Sequence, residues 1–133
     1  MMLFHDVPLQ CINQSAANFH IPAMMIVSVI QIENGKNGQA VKNKDGTFDL
    51  GVMQINSTWI KKLNAKGIKE TNVQFDPCTN VAVGAWILAQ GISNSAGWQG
   101  VGNYHSYTPK HNAIYREKVR ATYVQNSIAL RDA

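Results

Sequence analysis

The chain has 133 residues, 45% hydrophobic and 15% charged, and its 12 basic and 8 acidic residues give a formal net charge of +4. That length fits one domain with a real core and leaves little room for a second. No run of about 18 apolar residues occurs, which excludes a membrane-spanning helix, and the basic residues are dispersed, which argues against a nucleic-acid surface.

Residues 1–8 read as an N-terminal extension, 9–126 as the folded domain and 127–133 as a tail. Residues 1–6 lack a charged n-region and a full apolar h-region, so no signal peptide is expected there. Leu9, Cys11, Ile12, Ala16, Ala17 and Phe19 recur at helical spacing, predicting a first helix that breaks at His20-Ile21-Pro22. Pro22 suits the first turn of a second helix, which Asn34-Gly35 closes. Residues 42–46 form a turn signal, with short strands expected at 39–41 and 47–50. Asn56-Ser57 caps a helix carrying Trp59, Ile60 and Leu63, ended near Lys66-Gly67. Asp76-Pro77 is a cap with proline at the first helical position, opening a helix with Val81, Val83, Trp86 and Leu88. Residues 91–102, rich in Gly, Ser and Asn, read as a loop holding Trp98. Pro109 starts a last helix with Ile114, Tyr115, Val119 and Tyr123. The expectation is a mainly α-helical domain with one small β-hairpin.

Glu33 is the informative carboxylate. Counting back along its helix by three, four, seven and eight residues gives Ile30, Val29, Ile26 and Met25, all apolar. A charge on that face is costly unless paired or protonated, and the helix C-terminus disfavours a negative charge. Both effects raise a carboxyl pKa, which is what general-acid cleavage of a glycosidic bond requires. Periodicity alone leaves open a solvated Glu at a frayed helix end.

The segment Gly51-Val52-Met53-Gln54-Ile55-Asn56 follows the hairpin. Gly51 permits close backbone approach or positive φ. Gln54 and Asn56 can donate and accept hydrogen bonds to sugar hydroxyls and acetamides, and Met53 offers a soft apolar contact to a sugar ring. Taken with Glu33, this segment resembles the soluble lytic transglycosylase family of lysozyme-like enzymes. Asp76-Pro77-Cys78-Thr79-Asn80-Val81, Gly84-Ala85-Trp86-Ile87-Leu88 and Asn103-Tyr104-His105-Ser106, with Pro109 soon after, continue the resemblance in order. It covers roughly residues 9–125, and the Tyr-His-Ser variant most resembles the specialised members serving type III and type IV secretion or conjugation.

The resemblance implies a lysozyme-like α+β fold with the hairpin beside a cleft. It implies cleavage of the β-1,4 bond between N-acetylmuramic acid and N-acetylglucosamine, giving a 1,6-anhydromuramoyl product. Glu33 matches the single catalytic acid; Met53, Gln54 and Asn56 match substrate-binding positions; Tyr104 matches the cleft tyrosine near that acid. Asp49 stands where some secretion-associated members and true lysozymes carry a second carboxylate, although a strand-end Asp bonded to nearby amides is the plainer alternative. Peptidoglycan strands are the expected partner, with secretion or conjugation components as further partners of a monomeric protein in the periplasm or otherwise exported. Cys11 and Cys78 allow either two free thiols in the cytosol or one long-range disulfide, and an exported enzyme favours the disulfide. His5, His20, His105 and His111 lack metal-ligand spacing, and no metal or other cofactor is expected. Trp59, Trp86 and Trp98 read mostly as core residues, and of the three Trp98, in its glycine-rich loop, is the best placed to touch sugar. The alternatives are a hydrolytic lysozyme using Glu33 with Asp49, a non-catalytic wall-binding adaptor, and a cytosolic binding domain.

Overall fold

The computed structural model describes residues 2–94 and 97–132. Ser95 and Ala96, within the stretch read as a glycine-rich loop, and Met1 and Ala133, in the two terminal segments, lie outside the described residues. The chain opens with a hairpin that the sequence did not signal, β1 (Leu3–Phe4) paired antiparallel with β2 (Val7–Pro8). Its turn residues His5 and Asp6 both take positive φ, at 51° and 69°, as a two-residue hairpin turn demands, without the Asn-Gly pair that usually announces one. Val7 anchors it in the core.

Helix α1 (Leu9–Phe19) ends on His20 in the left-handed region, and α2 (Ala23–Glu33) follows with Pro22 as its extended N-cap. Met25, Ile26, Val29 and Ile30 are buried on α2, as the apolar run predicted. Asn34, left-handed at φ 52°, then turns the chain away, its N–H bonded to the Ile30 carbonyl. Strands β3 (Ala40–Lys42), β4 (Phe48–Leu50) and β5 (Ile55–Asn56) form one antiparallel sheet. The third strand extends the expected hairpin. Asp49 faces Val41 on one side and Asn56 on the other, while Leu50 pairs with Ile55.

Asn56 caps a single 3₁₀ turn over Ser57–Trp59, its side chain accepting from the Thr58 N–H at 3.1 Å, and α3 (Ile60–Asn64) continues from it. The short helix α4 (Glu70–Phe75), absent from the sequence reading, buries only Val73, too little for a visible period. Helix α5 (Pro77–Asn94) begins at the Asp76 cap, whose carboxylate accepts from the Cys78 and Thr79 N–H groups at 3.1 and 3.3 Å. The described part of the glycine-rich stretch includes a helix, α6 (Gly97–Gly102). Glycine is a poor helix former, but the backbones of Gly91 and Gly100 cross so closely that a Cβ on either would collide with the other. Packing therefore overrides propensity.

Helix α7 (Pro109–Asp132) lies along α2 and α6, and α5 packs against α1, α4 and α6. Its inward face carries Asn112, Tyr115 and Val119, and Asn126 donates to Ser28 and Gln31 of α2 at 3.2 and 2.7 Å. Cys11 on α1 and Cys78 on α5 form a disulfide closing a 67-residue separation. Constraining so long a loop stabilises by about 4 kcal/mol in the chain-entropy model. The result is a mainly helical α+β domain with the small sheet beside the C-terminal end of α2. Among the described residues no helix is long and apolar enough to cross a membrane.

Candidate active site

Glu33 is the last residue of α2, so its side chain leaves the apolar interior where the helix ends. Its Oε2 accepts a hydrogen bond of 2.6 Å from the hydroxyl of Tyr115 on α7, which is itself only 5% exposed. That is the carboxylate's sole hydrogen bond among the described residues. Burial raises the Glu33 pKa from 4.5 to about 7; the Tyr115 bond opposes this and the charge of Asp49 reinforces it. Burial likewise pushes the phenols of Tyr104 and Tyr115 well above the usual tyrosine range, with Glu33 adding to the effect. Both therefore remain hydroxyl donors.

Glu33 lines a cavity of about 360 Å³ together with Asp49, Gln54, Asn56, Trp59 and Tyr104. The sheet supplies one wall. Because Asp49 and Asn56 are paired across β4 and β5, the Asn56 amide reaches the Asp49 carboxylate at 3.0 Å and the Thr47 hydroxyl at 3.1 Å. The opposite wall is the loop of Tyr104 and His105, whose rings stack on Tyr115 with centroids 6.4 and 4.8 Å away.

The floor is the turn between β4 and β5, and Asn80 holds it. From the buried face of α5 it donates to the carbonyls of Leu50 and Val73, both at 2.8 Å, and accepts from the Met53 N–H at 2.8 Å. Gly51 has φ 67° and would drive a side chain into Asn80, so only glycine fits this close approach. Gln54 is also left-handed, at φ 54°, a conformation non-glycine residues hold only when their surroundings require it. Its amide donates to the Gly51 carbonyl at 3.0 Å and to the Gln39 side chain at 3.3 Å.

The structure thus brings together Glu33, Asp49, Gln54, Asn56 and Tyr104. Met53 stays apart from them: its side chain is fully buried, packed on Gly84 of α5, because the Asn80 bond and the Gly51 turn aim it inward. Its backbone serves the site instead, since the Met53 carbonyl accepts from the Tyr104 hydroxyl at 2.7 Å. The tyrosine on Glu33 is accordingly Tyr115, where Tyr104 was expected. Trp98 packs edge-on against Tyr123 at 5.8 Å because α6 faces α7, and Trp59 takes the wall position. Sequence reasoning assigned no role to Tyr115 or Asn80. A polar Asn among the apolar positions of α5 was the available signal for the second; nothing local marks the first.

A buried acid held protonated near neutrality, in a cleft of amides and hydroxyls beside a small sheet, is the equipment of a glycan-cleaving site. The transglycosylase SLT domain model matches residues 10–123. The chain belongs to the transglycosylase SLT family. Its role is therefore lytic-transglycosylase-like, within a peptidoglycan-acting, lysozyme-like family. It is 37% identical over 119 residues to invasion protein IagB of Salmonella typhimurium, spanning 85% of this chain and 74% of that one. It is 30% identical over 121 residues to protein IpgF of Shigella flexneri, spanning 86% and 80%. A peptidoglycan-binding-like protein of Escherichia coli O157:H7 is 30% identical over 128 residues, spanning 86% and 77%.

Proposed function

We propose that this protein is a lytic transglycosylase cleaving the β-1,4 bond between N-acetylmuramic acid and N-acetylglucosamine, with Glu33 as its single acid and base. The observation that carries the reading is the Glu33 carboxyl, raised to about 7 by burial and bonded through one oxygen to Tyr115. Its proton goes to the glycosidic oxygen as the C1–O bond breaks and N-acetylglucosamine leaves. The resulting carboxylate takes the proton of the muramoyl C6 hydroxyl, whose oxygen closes on C1. Glu33 ends protonated again, water is not consumed, and the product is a 1,6-anhydro sugar.

In this reading Gln54, Asn56 and Tyr104 form the walls that receive the sugars, and Asp49 orients substrate and tunes Glu33. Met53 acts through its backbone and its packing. The cleft's amide and hydroxyl lining suits neutral saccharides. The disulfide supports an exported, periplasmic protein. The likeness to a protein named as an invasion protein supports local opening of the wall for a secretion apparatus. Components of such an apparatus would be partners, and the protein would act as a monomer.

Asp49 in the same cavity supports a second reading, hydrolysis by a Glu-Asp pair. Mass spectrometry of fragments released from purified peptidoglycan separates the two. Anhydro muropeptides, one water lighter than their reducing counterparts, are the expected result; only reducing muropeptides would make this a lysozyme. Binding without any cleavage would make it an adaptor.

A further inference from the structure

Glu33 faces two cavities. Besides the main cleft, it lines a second of about 210 Å³ with Ile32, His105, His111, Ile114 and Lys118. Glu33 and His105 belong to both, so the two spaces meet at the acid. Their chemistry differs. The main cleft carries Asp49 and has no Lys or Arg among its described lining residues. The second contains Lys118 and two histidines, and Glu33 is its only described acid. Lys118 forms no ion pair among the described residues. Burial above all holds the His105 imidazole below its ordinary pKa; His111 and Lys118 push the same way, while Asp49 pulls the other way. The second cavity thus offers an anion a lysine that forms no ion pair among the described residues, with two histidines beside it.

A glycan strand is neutral along its backbone, and its carboxylates hang from C3 of the muramoyl residue, on a lactyl group and the short peptide it carries. That substituent projects sideways from the strand, at the sugar whose C1–O bond lies beside Glu33. We infer that the second cavity is a subsite for the stem of the muramoyl residue undergoing cleavage, with Lys118 pairing its carboxylate and Ile32 and Ile114 receiving the lactyl and alanyl methyl groups. Ile114 is 50% exposed and so available to such a contact. This subsite rests on the proposed peptidoglycan reading and specifies which part of the polymer is read.

The test separates the two ideas by measuring binding without turnover. The inactive Glu33→Gln protein is titrated by NMR with N-acetylmuramoyl-L-alanyl-D-glutamate and with the same compound amidated at its carboxylates. Shifts of His111, Ile114 and Lys118 amides are expected with the free acid. Lys118→Ala should weaken binding by about three- to fivefold, the worth of an exposed ion pair, and Lys118→Arg should restore it. The amidated compound should bind as weakly as the acid binds Lys118→Ala. Equal binding of acid and amide, or shifts confined to the main cleft, would overturn the subsite and leave the lytic reading intact. Failure of the wild-type protein to cut any peptidoglycan would remove the lytic reading, while the titration still decides whether the cavity binds the stem.

Discussion

Asn80 and Glu33 are both polar side chains withdrawn from water, and the fold treats them in opposite ways. Asn80 sits mid-helix on α5, 1% exposed, with two donated and one accepted hydrogen bond at 2.8 Å. Glu33 sits at the end of α2 with one hydrogen bond and a carboxyl pushed to about 7. A buried polar group with its bonds made fixes a structure. A buried acid left short of partners costs stability and holds a proton for use. The two are coupled, since the turn that Asn80 fixes supplies the carbonyl that orients Tyr104 over the cleft.

The largest expected effect tests the Glu33 side of that contrast. Glu33→Gln should lower peptidoglycan cleavage by at least about a thousandfold, the scale of a lost general acid, while leaving the protein folded. Between pH 4.5 and about 7 the folded chain keeps the Glu33 proton that the unfolded chain has released. Its contribution is therefore full below 4.5 and is lost as pH rises through 7. Above that pH the variant should be more stable than wild type by about 1–3 kcal/mol, read as a higher unfolding midpoint in denaturant. A variant less stable at pH 8 would break the contrast.

Asn80→Ala should behave in the reverse manner. It strands the Leu50 and Val73 carbonyls and the Met53 N–H, and should cost about 3 kcal/mol in chemical denaturation, with activity falling in proportion to the loosened turn. Retention of wild-type stability would remove Asn80 from its assigned role.

Two smaller effects sharpen the Glu33 side by having opposite signs. Tyr115→Phe deletes the hydrogen bond that favours the Glu33 carboxylate, so the alkaline limb of the pH–rate profile should move to higher pH, with a severalfold loss of rate from the freed carboxyl. Asp49→Asn deletes the weakest of the influences on Glu33, a charge that raises its pKa. The same limb should move to lower pH, by less. A common direction for both would contradict the assignment.

The main helices and the position of Glu33 were legible because they rest on local signals: an apolar run ended by Asn34-Gly35, and an Asp-Pro cap. The left-handed Gly51 follows from its reading as a close-approach or positive-φ glycine. The cross-strand partnership of Asp49 with Asn56 was not legible, because it needs β5, a strand of two residues too short to show a period. Tyr115 was not legible, since its partner lies 82 residues away and is met only when α7 docks on α2. Met53 read as a sugar contact because its neighbours Gln54 and Asn56 face the cleft, whereas the Asn80 bond and the Gly51 turn aim it inward. The helix α6 was hidden because the glycines that make its sequence look loop-like are what let it press against α5.

The central claim is that the fold holds Glu33 protonated near neutrality. Carbon-detected NMR of the Glu33 carboxyl, identified by its absence in Glu33→Gln and followed from pH 3 to 9, tests it without substrate. The account expects a midpoint near 7, as burial dictates. A midpoint at the ordinary 4.5 would mean that Glu33 is a solvated helix-end carboxylate, and the acid chemistry built on it would fall.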